Sequence, residues 1–315
     1  AVDLEHHDFR TYRGFTCLIQ LSTRQKDFIV DPFDIFEQMH LLNEVFSDPR
    51  IVKVLHGADR DVIWLQRDFS VYLVNMFDTG QATRELKLQG GFSLANLINF
   101  CVGLKLDKKY QMADWRERPL SPELVLYARS DTHYLLFCYD CMKNALLSQV
   151  PNTVTEWQGT GDQAATDAGV KALQAVLDRS TAICRQQHTD SPLDAGSGAM
   201  RLCERFSSKQ KPLEPRQFSV LKSLVEWRDR LARLEDESLN YISPDACLWR
   251  IALSLPTSAM KLRTSCNPLP AMVERHTQEL VDIVCRSAED ALPGTPARAA
   301  AVLDSGTAAS SSMMA

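Results

Sequence analysis

Ile51-Val52-Lys53-Val54-Leu55-His56-Gly57-Ala58-Asp59-Arg60-Asp61 decides the fold. A short apolar strand follows Pro49 and stops at the His56-Gly57 break, after which a helical pattern opens and runs through Trp64 and Leu65. A strand that turns directly into a helix is the building unit of a layered α/β sheet. The unit repeats downstream, where Val71 to Phe77 reads as a strand and Asp78-Thr79 caps a helix reaching Leu88. Upstream, Thr16 to Leu21 and Asp27 to Val30 flank a polar turn, Ser22 to Lys26, and read as a hairpin. Asp34 is the expected cap of a helix carrying Ile35, Met39, Leu42 and Phe46. An α/β domain is therefore expected over 1–150.

Beyond residue 90 the strand pattern stops, and helices are predicted over Ser93 to Leu104 and Pro122 to Leu147. Residues 151–210 shift toward Gly, Thr, Ala, Asp and Gln, with one helical pattern at Val170, Leu173, Val176, Leu177 and Ile183. This reads as a linker carrying a helix. Residues 211–292 are periodic and helical, punctuated by Pro244, Pro256 and Pro268, which suggests a bundle of short helices. The segment 293–315 holds Ala, Ser, Gly and Thr without aromatics, and disorder is expected there.

The 315 residues carry 35 basic and 40 acidic side chains, a net charge of −5, with 45% hydrophobic content. These proportions exclude collagen-like, coiled-coil and wholly disordered chains. No run approaches the roughly 18–20 apolar residues that cross a bilayer, so no membrane association is expected. The first residues, Ala1 to His7, have neither the basic lead nor the apolar core of a signal peptide. Nine scattered cysteines read as reduced thiols, and Cys138-x-x-Cys141, lacking a second pair, as buried structural residues. A mild acidic excess does not forbid a local basic groove for nucleic acid.

Three short patterns can carry chemistry. Asp3-Leu4-Glu5 lies in an expected strand, where residues two apart share a face. With acids at about one position in eight, such a triplet recurs roughly five times by chance. Asp61 stands in the first turn of a helix, where a dipole-stabilising acid is common. Tyr127 and Asp131 are four apart on a helix and share a face, as a surface hydrogen-bonded pair also would. Each has a plain structural alternative when taken alone. Four carboxylates meeting in one cleft would repel unless cations neutralised them, and oxygen donors suit Mg²⁺ or Mn²⁺. Two such ions about 3.5–4 Å apart support phosphodiester hydrolysis.

In this order, Asp3-x-Glu5, His56-Gly57-Ala58-x-x-Asp61 and Tyr127-x-x-x-Asp131 resemble the tyrosine-bearing branch of the DEDD 3′ to 5′ exonucleases. Phe77-Asp78-Thr79, Asp114-Trp115-Arg116-x-Arg118-Pro119-Leu120 and Tyr127-Ala128-Arg129-Ser130-Asp131-Thr132-His133-Tyr134 are similar to the RNase D family. Tyr110-Gln111-Met112-Ala113-Asp114-Trp115 and Asp3-Leu4-Glu5-His6-His7 resemble its eukaryotic nuclear-exosome branch. Glu226-Trp227-Arg228-Asp229 and Tyr241-Ile242-x-Pro244 resemble the helicase-and-RNase-D C-terminal (HRDC) domain.

The resemblance implies a ribonuclease H-like α/β domain, its mixed sheet flanked by helices, followed by an all-α HRDC bundle. It implies metal ligation by Asp3, Glu5, Asp61 and Asp131, two Mg²⁺ or Mn²⁺ ions, and Tyr127 positioning the hydrolytic water. Asp59 is the rival of Asp61, which is preferred because Leu65 follows at the family's spacing. His133 is expected to pack or hydrogen-bond. His56, Lys109, Trp115, Arg116 and Arg118 are expected to help hold the RNA 3′ end, with Trp115 alternatively a core anchor, and Lys105 and Lys108 belong to the same basic stretch near the expected cleft. Arg201 to Arg233, nine basic against four acidic residues, offers a second basic face or ordinary solvated charge. Single-stranded RNA is the implied substrate, the nuclear exosome core and its cofactor proteins the implied partners, and the nucleus with nucleolus the implied location. A non-catalytic RNA- or exosome-binding scaffold and a DNA 3′ to 5′ exonuclease are the alternatives. Because Asp3 lies so near the start, the first strand is expected to be truncated and the chain to be a fragment.

Overall fold

The hairpin read at Thr16 to Val30 supplies two of the three strands of the first sheet. A computed structural model describes residues 1–148, 165–190, 193–207 and 212–291, and the chain divides into two units, Ala1–Ser191 and Pro192–Ala315. In the first, β1 (Val2–His7), β2 (Phe15–Ser22) and β3 (Asp27–Val30) are antiparallel, with β2 between the others. Asp3 stands opposite Gln20 and Glu5 opposite Leu18, and the register slips between Glu5 and His6. A 3-10 segment, Phe36–Leu42, leads into α1 (Asn43–Phe46). The longer helix expected from Asp34 does not form, because Ile35 holds the cap position and no side chain closes the first turn.

β4 (Lys53–Leu55) feeds α2 (Asp59–Phe69), and β5 (Met76–Asp78) feeds α3 (Thr79–Glu85), the two strands pairing in parallel. The strand expected from Val71 is this short because Asn75 takes a left-handed φ of 57° that ends any extended run before it. Strand directions are mixed, and among the described residues the hydrogen bonds make two sheets, one of three strands and one of two. Asp78 caps α3 as expected, its Oδ1 accepting from the amides of Gly80 at 2.7 Å and Gln81 at 3.1 Å. It also accepts from Gly57 at 3.0 Å and Ala58 at 2.8 Å, so one carboxylate serves both strand-to-helix turns. α4 (Leu94–Val102) follows its Ser93 cap. The single helix expected from Pro122 is two, α5 (Pro122–His133) and α6 (Leu135–Ser148). Leu18, Ile19, Leu55 and Leu65 are fully enclosed, each burial contributing about 1.5–3 kcal/mol.

The segment expected as a linker carries the expected helix, and the described part of it packs on the first unit. Its helix, Asp167–Cys184, buries Val176 and Ile183 in the cores of the first unit. Ser180 Oγ accepts the Asp78 amide at 3.0 Å, and Arg179 pairs with Glu85 at 2.7 Å. A composition rich in Ala, Gln and Asp hid this docking, which depends on few apolar positions. The next helix, Ala195–Ser207, falls in the second unit. Residues 149–164 and the expected disordered tail 293–315 lie outside the described residues.

The second unit is all helical among its described residues. Pro215–Glu235 is its longest helix, and Trp227 and Trp249 are its largest enclosed side chains. Much of its expected positive face is internally neutralised. Arg205 and Arg228 both pair with Asp245, Arg230 with Glu279 and Arg233 with Asp229. Cys138 and Cys141 are buried free thiols in α6, as read from their spacing. No described helix is long and apolar enough to cross a membrane.

Candidate active site

Strand β1 and helix α5 bring three acids together. Asp3 and Glu5 project from one face of β1, and Asp131 reaches them from the last turn of α5. One carboxylate oxygen from each lies within 4.8 Å of the other two. The helix is held to the sheet beside Asp131. Thr132 hydrogen-bonds Ser22 at 2.7 Å, while Asp27 accepts from Arg129 at 2.6 Å and contacts His133 Nδ1 at 2.8 Å. His133 is thus a hydrogen-bonding residue, as expected.

Burial raises the pKa of each of these acids, and neighbouring negative charge adds to the rise for Glu5 and Asp131. Glu5 is pushed up to about 9 by desolvation and by the charges of Asp3 and Asp131. Asp3 is raised by desolvation, and Asp131 by desolvation and by Asp3. Asp61, buried in the first turn of α2, is raised by desolvation and by the charges of Asp3 and Asp78. It therefore faces the cluster electrostatically, although its carboxylate is outside the 4.8 Å group of three. Its rival Asp59 is exposed on the rim of the cleft.

The acids Asp3, Glu5 and Asp131 line a cleft of about 410 Å³ with Tyr127, one helical turn before Asp131. Burial and the charges of Asp131 and Glu5 push the Tyr127 phenol above its usual range, which keeps its proton in place. Its ring packs beside Trp115, with centroids 5.9 Å apart, and Tyr110, at 6.0 Å.

Only one of the five expected substrate residues, His56, lines this cleft. Both its ring nitrogens are engaged within the protein, Nε2 with the Phe92 carbonyl and Nδ1 with Thr79 Oγ1, each at 2.9 Å. Trp115 is the core anchor of the two readings offered for it, 3% exposed. Arg116 pairs with Asp114 at 2.7 Å. Arg118 is paired with Asp31 and donates to the carbonyls of Cys17 and Trp115, so it braces the fold instead of facing the cleft. Lys109 bonds the Tyr110 hydroxyl at 3.2 Å, and its neighbour Lys108 lines the cleft. Lys108 belongs to the basic stretch expected near the cleft, whereas sequence reasoning missed Arg84, Phe92 and Gln111 in the cleft wall. The helical step from Gly80 to Arg84 was the one available signal, since α3 starts beside the motif.

A family profile described as 3′-5′ exonuclease matches residues 1–147, and an HRDC domain profile matches residues 217–284. The catalytic core of RRP6 from Trypanosoma brucei superposes with a TM-score of 0.76 at 38% identity, covering 92% of this chain and 74% of that one. The chain belongs to the RRP6 and RNase D family of 3′-5′ exonucleases. Escherichia coli RNase D, described as an exoribonuclease involved in structured RNA processing, has a TM-score of 0.65 at 25% identity, over 93% of this chain and 71% of that one. Exosome complex component 10 of Rattus norvegicus is 42% identical over 280 residues, 89% of this chain. The chain spans 29% of the length of that relative. Members of the RRP6 and RNase D family are metal-dependent, and the all-oxygen donor set of Asp3, Glu5 and Asp131 fits hard divalent cations.

Proposed function

We propose that this chain is a 3′ to 5′ exoribonuclease that releases nucleoside 5′-monophosphates one by one from single-stranded RNA, with Asp3, Glu5, Asp61 and Asp131 holding two Mg²⁺ or Mn²⁺ ions. The observation that carries this reading is the meeting of Asp3, Glu5 and Asp131 within 4.8 Å on the wall of an open cleft. Desolvated carboxylates at that separation either keep protons or share cations. Bound ions of this kind supply an activated water and charge neutralisation at a phosphodiester. Tyr127 keeps its phenolic proton and can donate a hydrogen bond to the attacking water or a phosphate oxygen. Arg84 and Lys108 bring positive charge to the cleft wall, where RNA phosphates would lie. The exposed Phe92 ring offers a surface on which a base can stack.

The name of the rat relative, a component of the exosome complex, supports the further reading that the chain acts with the exosome; the family resemblance extends that reading to cofactor proteins, to RNA processing and decay, and to the nucleus and nucleolus. Labelled single-stranded RNA and DNA of matched sequence test the activity. A ladder on RNA that needs Mg²⁺ or Mn²⁺ and vanishes with Asp131→Asn is expected. A ladder on DNA alone would favour the DNA exonuclease, and none on either the scaffold.

A further inference from the structure

Gln20 lies on the central strand, fully enclosed, between the apolar Ile19 and Leu21. Its register partner on β1 is Asp3, and its side chain reaches diagonally to Glu5, with Nε2 3.2 Å from Glu5 Oε1. On the same face of β2, Leu18 packs with Leu124, Ala128 and Tyr127, and Ser22 bonds Thr132. Gln20 therefore lies between the two attachments that seat α5 on the sheet.

The amide's orientation is set by chemistry. With a cation bound, Glu5 is an ionised carboxylate that only accepts, so the NH₂ end then faces it, as the Nε2 contact has it. That leaves Gln20 Oε1 buried with no hydrogen-bond partner. An orphaned buried carbonyl is unfavourable, and Leu or Met would fill the same space without it. A residue kept only for packing would not be a glutamine.

We infer that Gln20 is a positioning residue: its amide fixes one oxygen of Glu5 so that the other is presented to a divalent cation, setting the affinity of the metal site. This rests on the metal-dependent reading above. Partners that orient a metal ligand typically change affinity by about 10–100-fold when removed.

The test is Mn²⁺ binding to the full 315-residue chain without RNA, followed by the loss of the free-ion electron paramagnetic resonance signal. Thermal unfolding in EDTA is measured beside it. Gln20→Met is expected to weaken Mn²⁺ binding ~10-fold or more with its melting temperature in EDTA unchanged or raised. In a Glu5→Gln background the same substitution is expected to change Mn²⁺ binding no further. Unchanged affinity overturns the inference. So does a fall in melting temperature, or failure to fold, in both Gln20→Met and Gln20→Leu, because Gln20 would then be structural. Absence of Mn²⁺ binding by the unsubstituted chain would instead sink the metal-dependent reading itself.

Discussion

Thr132 shares a 2.7 Å hydrogen bond with Ser22, 110 residues away in sequence, and both hydroxyls are buried. The contact falls one residue after Asp131, so it sets how far α5 carries that carboxylate toward Asp3 and Glu5. Thr132→Val keeps the side-chain shape and removes the hydroxyl, while Ser22 retains Asp27 at 2.7 Å. A stability loss of about 1 kcal/mol in urea unfolding is expected. Exonuclease rate should fall several-fold, and a rate equal to that of the unsubstituted chain would show that Asp131 needs no such anchor.

Stability without metal should fall as pH rises. Glu5 ordinarily titrates near 4.5 and is held up at about 9 in the folded chain. Between those values the folded state keeps a proton that the unfolded chain has released, so unfolding becomes easier with increasing pH. The stabilisation is complete below the ordinary value and lost through the raised one. Melting temperatures in EDTA should therefore decline from about pH 5 to about pH 9, and saturating Mn²⁺ should flatten the curve. An EDTA profile with no slope over that window would contradict the charge cluster.

Two adjacent lysines should behave differently. Lys108 lines the cleft, whereas Lys109 is occupied by Tyr110. Lys108→Ala is expected to raise KM for RNA several-fold and to reduce the salt slope of binding by about 0.7, the share of one single-strand phosphate. Lys109→Ala should leave both close to the starting value. Equal effects in a salt titration would mean the cleft wall does not follow the RNA backbone.

Arg118 should prove to be a brace. Its guanidinium pairs with Asp31, donates to the Cys17 and Trp115 carbonyls, and lies over the Phe33 ring at 4.7 Å. Arg118→Ala removes charge-assisted hydrogen bonds typically worth about 1.5–3 kcal/mol each, discounted here because the side chain is about a quarter exposed. A melting-temperature loss of several degrees is expected, with KM for RNA unchanged in the folded fraction. A selective rise in KM at constant stability would restore it as an RNA contact.

The acids were legible because their patterns are local: two apart on a strand, four apart on a helix, one turn after a strand end. What remained hidden depends on pairings far apart in sequence. Gln20 gains its meaning from the β1–β2 register, which sequence alone does not align across the slip at Glu5 and His6. Arg118 looked like a substrate grip because its partner, Asp31, lies 87 residues earlier. Nothing in Lys108-Lys109 says which ammonium faces inward; a turn in which Asp107 accepts from the Lys109 amide at 2.9 Å decides it. The helix Asp167–Cys184 was legible from its periodicity, but its docking was not, because Ser180, a polar residue, makes one of the contacts.

The enclosed Asp78 carboxylate receives four backbone amides, those of Gly57, Ala58, Gly80 and Gln81. Removing that carboxylate would leave all four amides without their acceptor at once, because no second acceptor among the described residues serves either turn in its place. The wall bearing His56 and the wall bearing Arg84 are in that sense one folding unit, and a lesion in either turn would be felt by both.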